Sequence, residues 1–256
     1  MDLEQKVFLI TGASSGIGKA VALALSHKHN RIVIIARRKE LLADAANEIR
    51  KNGSEALAID VDALDEALAA KAVQEAVSQF GRIDVALLNI GIGPFLNIAT
   101  ACPEDIKKNM RVNYETMINF FCPLVQQMKT QESGGIIANT NSLAGFIGLP
   151  TQGQYSAAKS ACRIFLDTAR VELKQFNIRV LTLCPGFVVT ERNKHKGLPK
   201  SLTMSMDEAA QHILHALESE TREYLFPASL KAAIIIGRSL PRFLKDRILS
   251  RMVRSS

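Results

Sequence analysis

Thr11-Gly12-Ala13-Ser14-Ser15-Gly16-Ile17-Gly18 decides the fold of this chain. An apolar run, Lys6–Thr11, leads into it, and a helical pattern, Gly16–Lys28, leads out of it. The glycines therefore stand on a turn between a strand and a helix. Glycine is needed where backbone must take positive φ and approach a ligand closely. The helix that follows would aim free N–H groups and the positive end of its dipole at an anion. A phosphate-bearing dinucleotide is a ligand that such a turn can hold.

Working outward, strand-like runs alternate with helical patterns. Arg31–Arg37, Ala56–Asp60, Asp84–Ile90, Gly135–Asn141 and Arg179–Cys184 read as strands, and Tyr224-Leu225-Phe226-Pro227 as the last one. Glu40–Asn52, Leu64–Phe80, a long stretch from Pro103 to about Lys129, and Tyr155–Phe176 read as helices. Strands that are continuously apolar and rich in Val and Ile are buried on both faces. The expected fold is a doubly wound α/β Rossmann fold, with a mostly parallel sheet of about seven strands and helices on both sides.

Composition narrows the class. The chain has 256 residues, 47% of them apolar, enough for one α/β domain. Its start, Met1-Asp2-Leu3-Glu4-Gln5, has no signal-peptide character, and no apolar run approaches a membrane span. Cys102, Cys122, Cys162 and Cys184 are scattered and read as reduced thiols of a cytoplasmic protein, not as a disulfide set or zinc site. The net charge of +7 is uneven: Lys231, Arg238, Arg242, Lys245, Arg247, Arg251 and Arg254 face one acid, Asp246, so residues 231–256 carry +6 of it. The near-neutral body argues against nucleic acid as a partner. The expected organisation is a domain over 1–230 and a basic, moderately amphipathic tail over 231–256.

The second motif is Gln154-Tyr155-Ser156-Ala157-Ala158-Lys159. Tyr155 and Lys159 lie four apart, hence on one helical face. A free phenol titrates near ~10, and a neighbouring ammonium favours its ionised form. Such a phenol can give a proton to a carbonyl oxygen or take one from an alcohol. With a dinucleotide turn in the same chain, the pair points to hydride transfer between a nicotinamide cofactor and a carbonyl or alcohol.

Together the Gly12-x-x-x-Gly16-x-Gly18 spacing and the Tyr155/Lys159 pair resemble the short-chain dehydrogenase/reductase family, motif by motif from residue 5 to about 190. The resemblance implies that Gly12, Ser14, Ser15, Gly16, Ile17 and Gly18 form the pyrophosphate turn. It implies adenine contacts from Asp60 and Val61. Asn89 and Gly91 match two positions of a four-residue motif that here reads Leu88-Asn89-Ile90-Gly91, with Leu88 and Ile90 departing from the family pattern. Pro185, Gly186, Val188 and Thr190 lie in a segment that matches the family's cofactor-binding strand end, where the Val188 backbone and the Thr190 hydroxyl would hold the nicotinamide carboxamide. Lys159 would hold the nicotinamide ribose, Ser142 would hydrogen-bond the substrate oxygen, and Asn113 would anchor a proton relay to Lys159. No metal is expected: His212 and His215 share a helix but lack a third ligand.

The second strand ends in Ile35-Ala36-Arg37-Arg38, with Ala36 where NAD-specific sites place an acid. Two guanidiniums can pair with a 2′-phosphate, so the cofactor expected is NADP(H). The segment Glu191–Leu202, with His195, would be a mobile lid at the strand carboxyl edge. Leu244, Ile248, Leu249, Met252 and Val253 form an apolar arc on a tail helix, off which Leu240 and Phe243 fall. Two readings of the tail stay open: it packs over the cleft or a subunit partner, or it lies on an anionic membrane surface at the cytoplasmic side.

The expected reaction is NADPH-dependent reduction of a hydrophobic carbonyl to a secondary alcohol, with Tyr155 as general acid. The same residues would serve NADP+-linked alcohol oxidation. A non-catalytic NADP(H)-binding scaffold is the rival of another class. The family resemblance also implies a homodimer or homotetramer paired through helices 103–129 and 152–177.

Overall fold

The computed structural model describes residues 1–189 and 203–254, with side chains as far as Arg251. Seven strands form one sheet in the order β3-β2-β1-β4-β5-β6-β9. They are β1 Val7–Thr11, β2 Arg31–Ala36, β3 Glu55–Asp60, β4 Val85–Leu88, β5 Gly135–Thr140, β6 Ile178–Pro185 and β9 Glu223–Phe226. Every neighbouring pair runs parallel. The short strands β7 Phe187–Val188 and β8 Thr203–Met204 pair apart from this sheet.

Successive side chains of a strand point to opposite faces, and this sheet uses both. Phe8 and Ile10 of β1, with Ile32 and Ile34 of β2, pack on α1 Gly16–Leu25, α2 Lys39–Lys51 and α7 Met206–Glu218. Val7, Leu9, Val33 and Ile35 point the other way, onto α3 Glu66–Phe80, α5 Thr116–Lys129 and α6 Gly153–Glu172. That division is why the strands read as unbroken apolar runs. Phe120 of α5 is wholly buried at the second face; truncating such a residue to alanine costs about 3–5 kcal/mol.

Local signals set the helix ends. Asp65 accepts from the Leu68 N–H at 3.0 Å to start α3, and Gly81 ends it in the left-handed region at φ 79°. Ser205 and Glu208 form a reciprocal capping box at the start of α7. Such caps satisfy N–H groups that a helix start leaves without partners.

The stretch from Pro103 to Lys129 is helical throughout, as the sequence reads, but its middle is not α-helical. The stretch is α4 Pro103–Met110, a π-helical turn Arg111–Glu115, then α5. The wide turn is centred on Asn113, whose side chain is clasped by another loop. After β9 come α8 Ala228–Ser239 and, beyond Pro241, α9 Arg242–Arg254. α8 packs on the 3₁₀ turn Leu143–Phe146.

The strand order reverses between β1 and β4, the place where parallel α/β sheets open a ligand crevice at the strand carboxyl ends. Asn89, just past β4, donates its backbone N–H to Thr11 Oγ1 at the end of β1, at 2.9 Å.

Candidate active site

The glycine turn opens this crevice. Gly12 and Gly16 both take positive φ, at 68° and 61°. The backbone N–H groups of Gly12 and Ala13 donate to the Ile35 carbonyl at 2.8 and 3.2 Å, which ties the turn to the end of β2. A Cβ at Gly18 would stand 2.6 Å from the Gly12 carbonyl oxygen and 2.7 Å from Asn89 Nδ2, so only glycine lets α1 approach so closely. Ser15 caps α1 without using its side chain, and the first turn carries no acid. The N–H groups of that turn are left open to an anion.

Arg38 reaches back over the turn and donates to Ser14 Oγ at 3.0 Å and to Ser15 Oγ. Arg37 beside it is exposed. Ala36 pairs in register with Asp60, and the Val61 N–H donates to the Ala36 carbonyl at 3.2 Å. Arg37, Arg38, Asp60 and Val61 thus share the carboxyl edge of β2 and β3. The acid stands one strand away from the two guanidiniums.

The expected proton-transfer residues gather on the other side of the crevice. Lys159 is 2% exposed, and its Nζ donates to the Thr140 carbonyl at 2.9 Å. Nζ lies 5.8 Å from the centre of the Tyr155 ring, one turn earlier on α6. Gly93 borders that ring: a Cβ there would meet Tyr155 carbons at 3.5 Å. Gly91 borders the ammonium: a Cβ there would stand 3.2 Å from Lys159 Nζ and 2.8 Å from Asn113 Oδ1. Asn113, Tyr155 and Lys159 therefore meet around one strip of backbone, residues 91–93.

Asn113 holds that strip. Its Nδ2 donates to the Ile92 carbonyl at 2.9 Å, and its Oδ1 accepts from the Ile92 N–H at 3.1 Å. Nδ2 also donates to the Asn109 carbonyl and side chain. The Asn113 carbonyl accepts from the Cys162 thiol at 3.4 Å. Burial pushes the Cys162 thiol up and the Cys184 thiol well above the ordinary range, so both stay protonated and inert.

Ser142 starts the 143–146 turn and is half-buried, its Oγ accepting from the Ala144 N–H at 3.1 Å. Asn141 couples it to the lysine. Asn141 Oδ1 accepts from the Ser142 N–H at 2.8 Å, and Nδ2 donates to the Lys159 carbonyl at 3.1 Å. Thr140, Asn141, Asn109 and Gly93 were not singled out from the sequence. The signal was present in Asn139-Thr140-Asn141, three polar residues at the end of an apolar strand.

Past β6, the Gly186 N–H donates to the Phe226 carbonyl at 2.8 Å, and a Cβ at Gly186 would collide with Leu230 of α8. Pro185 ends β6, and buried Val188 lies in β7. Thr190, His195 and the expected lid Glu191–Leu202 lie outside the described residues. His212 is occupied structurally: its ring contacts Tyr224 Oη at 3.1 Å and stacks on Phe226. Among the described residues, no group of three or more His, Cys, Asp or Glu is placed to hold a metal.

Residues 6–200 match the family model described as short chain dehydrogenase. An uncharacterized oxidoreductase of Listeria monocytogenes is 35% identical over 193 residues, 75% of this chain and 77% of that protein. A Bacteroides thetaiotaomicron protein named 3-ketodihydrosphingosine reductase is 29% identical over 246 residues, covering 94% of this chain and 87% of its own. Among solved structures, an alcohol dehydrogenase from Thermococcus sibiricus complexed with 5-hydroxy-NADP superimposes with a TM-score of 0.79 at 26% identity, over 87% of this chain and 96% of that one.

Proposed function

The chain belongs to the short-chain dehydrogenase/reductase family, an oxidoreductase family, and on that premise we propose that it is an NADPH-dependent reductase of a hydrophobic ketone. The observation that carries this reading is the convergence of Asn113, Tyr155 and Lys159 on residues 91–93, opposite the glycine turn. The turn fits a dinucleotide: Gly18 leaves no room for a Cβ, and the first turn of α1 has neither a side-chain cap nor an acid.

Gly12, Ser14, Ser15, Gly16, Ile17 and Gly18 would hold the pyrophosphate, with Asp60, Val61, Asn89 and Gly91 along the adenosine. Arg37 and Arg38 would hold a 2′-phosphate, because guanidinium forks match phosphate geometry and Ala36 supplies no acid for a free ribose hydroxyl. Pro185, Gly186, Val188 and Thr190 would border the nicotinamide. A bound NADPH supplies the hydride.

The chain's own residues do the rest. Ser142 Oγ hydrogen-bonds the substrate oxygen and polarises the carbonyl. The Tyr155 phenol gives its proton to that oxygen as charge develops there. Lys159, fixed by Thr140, would offer its remaining N–H groups to the nicotinamide ribose and to Tyr155. Asn113 keeps the 91–93 strip in place and would anchor the relay that returns a proton to Lys159.

The apolar side chains of Leu230 and Leu143 beside Gly186, next to the Ser142 turn, favour a hydrophobic substrate. The name of the Bacteroides relative supports a long-chain keto-lipid as one candidate. All four cysteines are free thiols, which favours a reducing, cytoplasmic compartment.

We place the subunit interface on α5 and α6. A groove of about 250 Å³ between them is lined by Phe121, Val125, Phe165 and Leu173, and Ile164 and Val171 of α6 are 59% and 77% exposed. A second copy presenting the same face would cover them.

The test is turnover of NADPH and NADH with a ketone series graded from short to long chain. NADPH oxidation that rises with chain length and vanishes in Tyr155→Phe supports the reading. Preference for NADH, or activity that survives in Tyr155→Phe, overturns it.

A further inference from the structure

We propose that the outer faces of α8 and α9 form a docking surface for an anionic lipid bilayer. The docking itself does not depend on the redox reading; delivery of a lipid-like ketone from that bilayer does.

Seven of the twelve residues of α8 are Ala, Leu or Ile, yet none of its residues is buried. Apolar side chains grouped on an exposed helix side mark a contact with a partner or a membrane. One face, Leu230, Ile234 and Gly237, is half-buried toward the body. The opposite side exposes Ala232, Ala233, Ile235 and Ile236, the two isoleucines at 53% and 63%. α9 adds two exposed apolar side chains on different sides of the helix, Phe243 at 70% and Ile248, on the apolar arc, at 52%.

Charge identifies the occupant. Seven basic residues stand between 231 and 256 against Asp246 alone. Arg242 and Arg247 are exposed beside Phe243 and Ile248. A second copy of the same segment would bring like charges together. An anionic bilayer instead accepts isoleucine and phenylalanine at its acyl boundary while arginines meet the lipid phosphates. Among the described residues no helix is long and apolar enough to cross a membrane, so the contact would lie in the interface plane.

The surface also adjoins the active site. The Arg238 guanidinium lies 5.3 Å from the Phe146 ring, which the Arg163 guanidinium also faces at 4.7 Å. Phe146 closes the turn that Ser142 begins. α8 is therefore both the roof of the Ser142 segment and the helix that would face lipid.

The experiment is co-sedimentation of the full chain with vesicles of phosphatidylglycerol and phosphatidylcholine, against phosphatidylcholine alone. Binding is expected only to the anionic vesicles, and about 0.5 M salt should release it. Arg242→Gln with Arg247→Gln should weaken binding roughly fivefold per cation removed. That variant should keep its melting temperature and its turnover of a short, soluble ketone. Ile235→Glu with Ile236→Glu should abolish vesicle binding and leave the oligomeric state of the lipid-free protein unchanged. The proposal is overturned by wild-type protein that ignores anionic vesicles or binds both kinds equally. It is also overturned by variants that bind as wild type, or by the isoleucine variant dissociating the assembly, which would make the patch a subunit interface.

Discussion

Lys159 Nζ donates to the Thr140 carbonyl oxygen at 2.9 Å, which pins a buried ammonium to the end of β5, two residues before Ser142. Lysine has three donors, so this bond fixes the head while leaving two for ligand and relay. Lys159→Met should therefore lose cofactor affinity and turnover together. It also leaves the Thr140 carbonyl without that donor, at a cost of about 1–3 kcal/mol in stability. Tyr155→Phe should behave differently, keeping cofactor affinity while turnover falls about 10²–10⁴-fold. Cofactor titration beside steady-state kinetics separates the two; equal loss of binding in both variants would refute the division of labour.

Arg38 supplies the next expectation. Its guanidinium already crosses the glycine turn to Ser14, so a 2′-phosphate would meet it in place. Losing a hydrogen bond to a charged group costs about 1.5–3 kcal/mol, so Arg38→Ala should lower kcat/KM for NADPH roughly 10- to 100-fold. The value for NADH should hardly change. Parallel losses with both cofactors would mean that Arg38 supports the turn rather than reading the phosphate.

The parts of the molecule legible in its sequence share a physical cause. β1 and β2 could be read because both sheet faces are covered, which leaves their runs unbroken. The glycine turn could be read because its backbone demands a particular residue type. Asn113 could be placed on a helix, but not its π-helical turn, because one extra residue per turn leaves no mark on an apolar pattern. The partner of Lys159 is a backbone carbonyl, which no residue identity announces. α8 leaves a weak periodic signal because Ala, Leu and Ile stand on both its inner and its outer side.

Gly91 tests whether the 91–93 strip positions the site. A Cβ there would stand 2.8 Å from Asn113 Oδ1, and Asn113 is buried and hydrogen-bonded on both sides, so it cannot give way. The strip must move instead, and with it the space beside Lys159. A displacement approaching 1 Å can cost about 10²-fold in rate. Gly91→Ala should thus lower kcat at least tenfold, whereas Gly148→Ala, with nothing within 4 Å of its Cβ, should act as wild type. Unchanged kcat in Gly91→Ala would remove the strip from the catalytic argument.

The α5/α6 interface makes its own forecast. Val171 is 77% exposed on α6, beside the groove that Leu173 and Phe165 help to line. Val171→Glu would place like charges opposite each other across a symmetric contact. Sedimentation velocity should show a smaller species than wild type. An unchanged assembly would put the interface elsewhere.

Glu220 sets an acid limit on the fold. Burial pushes its carboxyl up, but the hydrogen bond and charge of Arg179, with the amino terminus 3.3 Å away, outweigh that and hold it below the ordinary range. A carboxylate whose folded value is depressed adds stability above its unfolded value, near ~4.3, and loses it as pH falls through the folded value. The pair is partly exposed, so its worth is about 1 kcal/mol at most, or roughly 2–4 °C in a domain of this size. Glu220→Gln should melt lower than wild type at neutral pH. The gap should close as pH drops below the carboxylate range, where wild type also loses its charge. A gap that persists at acid pH would assign the effect to packing instead of to the ion pair.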